Sequence, residues 1–217
     1  METKTRFHSQ YGQDRFIFKT FFPNKRGGVF LDVGAYDGVK LSNTFFFEKE
    51  MGWTGLCIEP SPTQFKLLSK SRSCICVNCA VYDREGDVEF LDTGALSGII
   101  EGYDKPHRRK VWSKKRGKKR PKPGDRITVP CRVLPNLLRE HNLSKIDYMS
   151  IDTEGSEPAI IKTLDMEEFE ISVISVENNY DDRRVKKHLS NMGYVKVKHI
   201  KVDDIYCLRG FWRQINV

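Results

Sequence analysis

Residues 29–38 read Val29-Phe30-Leu31-Asp32-Val33-Gly34-Ala35-Tyr36-Asp37-Gly38, a short apolar run that ends in a carboxylate and passes into a loop with two glycines. Three further runs end the same way: Leu56-Cys57-Ile58-Glu59, Met149-Ser150-Ile151-Asp152 and Ile174-Ser175-Val176-Glu177. Near-continuous apolar runs of strand length belong to parallel sheets, because helices cover both faces and leave no solvent side. Parallel strands end on one edge, and ligands of open α/β sheets bind at that edge. Asp32, Glu59, Asp152 and Glu177 are therefore expected in one cleft.

Working outward, the spacing predicts a helix over 7–22 anchored by Phe16, Ile17, Phe21 and Phe22, and a first strand from Val29. Ser42 and Asn43 are expected caps for a helix running to about Gly52. The second strand should end at Glu59, Pro60 and Pro62 should introduce a helix over 62–70, and a third strand should span 74–79. Between 82 and 135 the alternation breaks into a strand at 88–91, a glycine-containing loop, a basic segment and a strand at 127–132. We read this as an elaboration and not a second domain. The rhythm then resumes with a helix at 135–141, a strand at 146–151 and a helix opened by Ser156 and Pro158. A strand at 171–176, a helix at 182–191 and a terminal hairpin over 194–199 and 205–209 complete it. The expected architecture is one α/β domain over 1–217, with an N-terminal helical extension over 1–28 and a basic loop insertion over 105–126. Its sheet should be mostly parallel with an antiparallel C-terminal hairpin, and helices should cover both faces.

A chain of 217 residues can bury a sizeable core. No stretch approaches the ~20 apolar residues that span a bilayer, so a soluble, cytoplasmic protein is expected. The six cysteines then read as reduced thiols, and Cys74, Cys76 and Cys79 lack the second pair that a structural zinc site wants. The net charge is +8, but residues 105–126 alone hold twelve Lys or Arg against one acid, which leaves −3 for the rest.

The loop after the first strand is too acidic for a dinucleotide. Asp32 and Asp37 would repel a pyrophosphate, and the second glycine of G-x-G-x-x-G is absent. A ligand bearing an ammonium and a sulfonium would instead be attracted. Glu59, at the end of the next strand, can accept both hydroxyl protons of a ribose. A nucleoside cofactor without phosphates fits both features.

The combination of Ser9-Gln10-x-Gly12-Gln13-Asp14, Phe30 to Gly38, Ser42-Asn43-Thr44, Gly52-Trp53-x-Gly55-x-Cys57-Ile58-Glu59-Pro60 and Ile146 to Asp152-x-Glu154-Gly155 resembles the FkbM family of methyltransferases. That resemblance implies a Rossmann-like class I methyltransferase fold and S-adenosylmethionine as cofactor. It also implies O-methylation of a sugar hydroxyl, with a deoxyhexose of a glycan as the expected acceptor. By the same resemblance Asp32, Gly34 and Gly38 would line the methionine end, with Glu59 on the ribose and Ala35 and Asn43 also binding the cofactor. Asn78 and Ala80 would lie beside the adenine, and Ser97 and Gly98 near the reaction centre. The basic segment has no counterpart that we recognise in the family.

An alcohol attacks a methyl sulfonium slowly unless its proton is removed or a cation lowers its pKa. Glu154 is the candidate general base, followed by Asp152; the alternative for Glu154 is that it caps the next helix. Asp152, Glu177 and Asn178 offer hard oxygen ligands suited to magnesium or manganese, similar to the ligand set of metal-dependent O-methyltransferases. Strand-end acids can equally bond loop amides or a sugar. His107 and His141 are weaker candidates for a base. The segment 105–126 reads as a solvated loop or as a clamp on an anionic partner. A glycan acceptor is expected over nucleic acid. A nucleic-acid methyltransferase that holds phosphates with the basic loop is the alternative, as is a non-catalytic binding module on the same fold.

Overall fold

A computed structural model of the chain describes residues 6–103, 105–112, 122, 125–179 and 183–216. Its first half contains α1 (Gln13–Phe21), β1 (Val29–Val33), α2 (Phe45–Lys49), β2 (Thr54–Ile58), α3 (Pro62–Ser71) and β3 (Ile75–Val77). The middle contains β4 (Ala80–Tyr82), β5 (Gly86–Leu91), β6 (Gly98–Ile99), α4 (Lys105–Trp112) and β7 (Arg126–Val133). Then follow α5 (Leu134–Glu140), β8 (Lys145–Ile151), α6 (Glu157–Thr163), β9 (Glu170–Glu177), α7 (Arg183–Asn191), β10 (Tyr194–Ile200), β11 (Asp203–Leu208) and α8 (Arg209–Ile215).

The apolar runs form a seven-stranded sheet in the order β10-β11-β9-β8-β1-β2-β3. From β9 to β3 every pairing is parallel, and β11 runs antiparallel to both β9 and β10. Both faces are covered. Leu31 and Val33 of β1 join a core with Leu137 of α5, Ile160 of α6 and Leu189 of α7, while Phe30 packs on the other side with Ile17 of α1 and Phe47 of α2. Two helix-covered faces explain why β1 is apolar almost without break. From β1 the chain moves outward through β2 and β3, then returns to the other flank of β1 as β8 and β9. The strand order reverses there, and a switch point of this kind places a ligand crevice at the carboxyl edge.

Several boundaries depart from the sequence reading. The third strand stops at Val77 instead of continuing to 79, and Ala80 opens a second, four-stranded sheet in the order β4-β7-β5-β6. Ala80, Val88, Phe90, Ile99, Val129 and Cys131 bury one another in its own small core, so the middle is more than an irregular elaboration. The first helix begins at Gln13 rather than residue 7. The Asp14 carboxylate accepts the His8 and Ser9 backbone N–H groups at 2.6 and 3.1 Å and the Ser9 hydroxyl at 2.5 Å, which fixes the preceding residues as a turn. Helix α2 ends at Lys49, short of Gly52. The Ser42 hydroxyl accepts from the Thr44 and Phe45 N–H groups at 3.2 and 3.1 Å, whereas Asn43 turns away from the helix. The segment expected as a loop over 105–126 starts with α4, whose Val111 and Trp112 pack with Leu91, Leu96, Ile100 and Tyr103. Residues 113–121 and 123–124 of that segment, and the His107 side chain, lie outside the described residues. Helix α8 was not expected; its Phe211 stacks on Phe22 with ring centroids 5.6 Å apart. Among the described residues no helix is long and apolar enough to cross a membrane.

Candidate active site

A cavity of about 480 Å³ opens at the carboxyl edge of the large sheet. Of the residues expected at the cofactor, Asp32, Gly34, Ala35, Asn43, Glu59 and Ala80 line it, as do Asp152, Glu154 and Glu177 from the expected acceptor end. The four strand-end acids stand side by side in the order Glu177, Asp152, Asp32, Glu59, because β9, β8, β1 and β2 are neighbours.

Gly34 sits where the loops after β1 and β8 meet. Its φ is +88°, and a Cβ there would lie 1.8 Å from the Asp152 carbonyl oxygen. No other residue fits this close approach. Asp32, buried on β1, accepts from the Thr44 hydroxyl at 2.6 Å, and burial raises its pKa against the pull of Arg72. Asn43 donates from Nδ2 to the Ser150 hydroxyl at 3.0 Å, while its Oδ1 is buried with no hydrogen-bond partner among the described residues. The Arg72 side chain lies fully buried beneath the loop and donates to the Gly38 carbonyl at 3.1 Å, to the Thr44 hydroxyl at 3.0 Å and to Glu48.

The two Glu59 oxygens accept the Tyr36 and Ser61 backbone N–H groups, each at 2.8 Å. Burial nevertheless lifts its pKa to about 7, with the Asp92 and Asp32 charges adding to the lift and these two hydrogen bonds opposing it.

At the other end, carboxylate oxygens of Asp152, Glu154 and Glu177 lie within 4.8 Å of one another. Enclosure raises the Asp152 and Glu177 pKa values, and carboxylate repulsion, from Asp203 on Asp152 and from Asp152 on Glu177, raises them further. Like charges this close oppose each other's ionisation. Glu154 has φ +56° and precedes Gly155 at φ +124°. Its loop is pinned by Glu157, whose carboxylate accepts the Thr153 N–H at 2.8 Å, the Thr153 hydroxyl at 2.9 Å and the Gly155 N–H at 2.9 Å. Glu157, the first residue of α6, thus braces the loop that carries Glu154, and no side-chain hydrogen bond caps the helix at Ser156.

Gly38, Asn78, Gly98 and Asn178, all expected at the site, do not line the cavity, nor does His141; Ser97 does, while a Cβ on Gly98 would meet the Tyr103 ring at 2.6 Å. Gly38 turns the loop from behind, where a Cβ would meet Leu68 of α3 at 2.7 Å. Asn78 donates from its amide to the Glu59 and Pro60 carbonyls at 2.7 and 3.2 Å, so it braces the Glu59 turn. Asn178 donates to Asp204 at 3.1 Å, and Glu154 takes its place beside Asp152 and Glu177. Sequence reasoning missed Tyr36 and Leu96 of the lining, and it noted Gln10 and Tyr11 only as part of a motif. The run Ser9-Gln10-Tyr11-Gly12-Gln13-Asp14 was the available signal for the last two.

The sequence pattern of the methyltransferase FkbM domain matches residues 32–196. No curated protein matches the chain. Among solved structures it is similar to a precorrin-6y C5,15-methyltransferase from Geobacter metallireducens, at 14% identity over 89% of this chain and 86% of that one, with a TM-score of 0.49. It is also similar to a methyltransferase FkbM from Methylobacillus flagellatus, at 11% identity over 83% of this chain and 43% of that one, with a TM-score of 0.48. A third is Aeropyrum pernix fibrillarin with S-adenosylmethionine bound, at 11% identity over 92% of this chain and 73% of that one, with a TM-score of 0.48. With its domain pattern matched over most of its length, the chain belongs to the FkbM family of S-adenosylmethionine-dependent methyltransferases.

Proposed function

We propose that the protein methylates a hydroxyl of a sugar, with S-adenosylmethionine as donor. The observation that carries the reading is one cavity with the unpartnered Asn43 Oδ1 beside Asp32 at one end and the clustered Asp152, Glu154 and Glu177 carboxylates at the other. Bound there, S-adenosylmethionine supplies an electrophilic methyl group. The residues present fit it. The unpartnered Asn43 Oδ1 and the neighbouring Asp32 suit an ammonium, and each Glu59 oxygen, having accepted one N–H, keeps acceptor capacity for one ribose hydroxyl. Gly34 and Ala35 keep the backbone close to this space without filling it, and Ala80 does the same at the base end.

A hydroxyl held at the other end would meet Glu154 and Asp152. Glu154 takes the hydroxyl proton in this reading, while Asp152, bonded to Glu177, orients the acceptor. Several carboxylates around one space suit a polyol, and a deoxyhexose of a glycan is the class that the family resemblance names. Asp152, Glu154 and Glu177 also fit magnesium or manganese, which would lower the hydroxyl pKa. Incubation with labelled donor and a panel of monosaccharides tests the reading: an O-methyl sugar is the expected product, and donor consumption that yields only N- or C-methyl products overturns it.

A specific placement supports a second reading, in which the sugar belongs to a nucleic acid. Gly102, just ahead of α4, comes so close to the Glu154 loop that a Cβ on Gly155 would lie 2.8 Å from the Gly102 carbonyl oxygen. Helix α4 turns its apolar residues inward and leaves Lys105, Arg108 and Arg109 exposed near the acceptor end. Transfer to an RNA oligonucleotide in place of free sugars would favour this reading.

A further inference from the structure

A cluster of thiols lies behind the cofactor loop, and methyl transfer makes no use of it. Cys57 on β2 is fully buried, Cys76 on β3 lies opposite it in the strand register, and Cys74 just ahead of β3 is partly exposed. The Cys57 and Cys74 sulfurs are 3.6 Å apart. Buried Arg72, two residues before Cys74, places a cation beside the pair. We propose that Cys74 and Cys57 form a hydroperoxide-reactive site, with Cys74 as the attacking thiol and Cys57 as the resolving thiol.

The assignment follows from access and charge. A small peroxide can reach Cys74 but not Cys57. Hydrogen bonding with the Cys57 and Cys76 thiols, helped by Arg72, outweighs burial and lowers the Cys74 pKa, which favours its thiolate. Burial keeps Cys57 protonated. Low-pKa, accessible cysteines beside a second thiol are the ones that sense peroxide. In the first step the Cys74 sulfur attacks one peroxide oxygen: an S–O bond forms, the O–O bond breaks and hydroxide leaves, which takes up a proton to give water. Sulfur is oxidised to the sulfenic acid, and peroxide is reduced. In the second step the Cys57 sulfur, giving up its proton, attacks the Cys74 sulfur. The S–S bond forms, the S–O bond breaks and a second water leaves with that proton. Arg72 then loses the thiolate it faced, and it is the same side chain that holds the Gly38 carbonyl of the cofactor loop. Weaker cofactor binding in the oxidised protein is the expected consequence, and this last clause rests on the function proposed above.

The test is mass spectrometry of the full chain after brief treatment with hydrogen peroxide and alkylation. The expected result is a Cys57–Cys74 crosslink with loss of two hydrogens, formed before Cys131 or Cys207 reacts and reversed by dithiothreitol. Cys57→Ser should instead accumulate a Cys74 sulfenic acid trapped by dimedone, and Cys74→Ser should give neither product. A crosslink through Cys76, or Cys74 no faster than Cys207, overturns the proposal. S-adenosylhomocysteine affinity, measured separately by calorimetry, should fall several-fold on oxidation. Crosslinking with unchanged affinity removes the coupling to the loop, whereas no binding even to reduced protein overturns the cofactor reading and leaves the thiol chemistry standing.

Discussion

Gly12 and Gly34 have nearly the same φ, +84° and +88°, in opposite surroundings. A Cβ on Gly12 meets nothing within 4 Å, while one on Gly34 would lie 1.8 Å from the Asp152 carbonyl oxygen and 2.9 Å from its carbon. Gly12→Ala therefore carries only the left-handed penalty, about 1–2 kcal/mol. Gly34→Ala carries that penalty plus a collision with backbone, and overpacking adds about 1–3 kcal/mol. At about 2–4 °C per kcal/mol for a domain of this size, Tm should fall by about 2–8 °C for Gly12→Ala and by about 4–20 °C for Gly34→Ala. The collision also pushes apart the loops that carry the two halves of the cavity, so S-adenosylhomocysteine affinity should collapse in Gly34→Ala and stay close to wild type in Gly12→Ala. Scanning calorimetry and binding titrations on both variants check this. Equal Tm losses with equal affinities would refute the claim that Gly34 is required by close approach to Asp152 rather than by its φ alone.

Glu59 should make cofactor affinity depend on pH. With its pKa raised to about 7, the ionised form that accepts two ribose hydroxyls is fully present only above that pH. Affinity for S-adenosylhomocysteine should therefore be level above pH 7 and decline by up to roughly tenfold per unit below it. Calorimetry should find Glu59→Gln weak and flat across the same range, and a wild-type profile without that decline contradicts the assignment. The same raised pKa destabilises the empty protein as pH rises from about 4.3 toward 7, because the folded carboxyl must then ionise where burial opposes it. A Tm that climbs through this window at a slower rate in Glu59→Gln than in wild type would speak against it. Glu154→Gln should lower kcat by about 10²–10⁴-fold with donor affinity retained, the size expected for loss of a general base; a parallel loss of affinity would mean that Glu154 builds the cavity and does not act in the reaction. Turnover should fall on chelation with EDTA and recover with magnesium or manganese if the Asp152, Glu154 and Glu177 oxygens hold a cation, and full activity in EDTA removes the ion from the scheme.

Much of the fold was legible because its cause is local. The apolar runs at 29–33, 54–58, 145–151 and 170–177 are strands buried on both faces, and such burial leaves a mark on every residue. The cavity followed from topology, since acids that end neighbouring parallel strands must share an edge. What escaped was set by distant partners. Nothing near Asn78 says that its amide will brace the Glu59 and Pro60 carbonyls, and nothing near Asn178 announces Asp204, a residue on another strand. Arg72 looks like Lys70 beside it, one more cation in a polar stretch, yet it links Glu48, Thr44 and Gly38 from beneath the loop. The separate sheet from β4 to β7 was obscured because its strands are short and the basic segment interrupts them. Glu157 carried no mark in the sequence: only the three-dimensional path shows that its carboxylate turns back to the Thr153 and Gly155 amides.

The most direct test of sugar methylation in this cavity is mass spectrometry of acceptors incubated with methyl-labelled S-adenosylmethionine and either wild-type protein or Glu154→Gln. We expect the label on a hydroxyl oxygen of a sugar with wild type and a strong loss of that product with Glu154→Gln at unchanged donor affinity. Label found on nitrogen or carbon, or transfer to the sugar that proceeds equally well in Glu154→Gln, would contradict it.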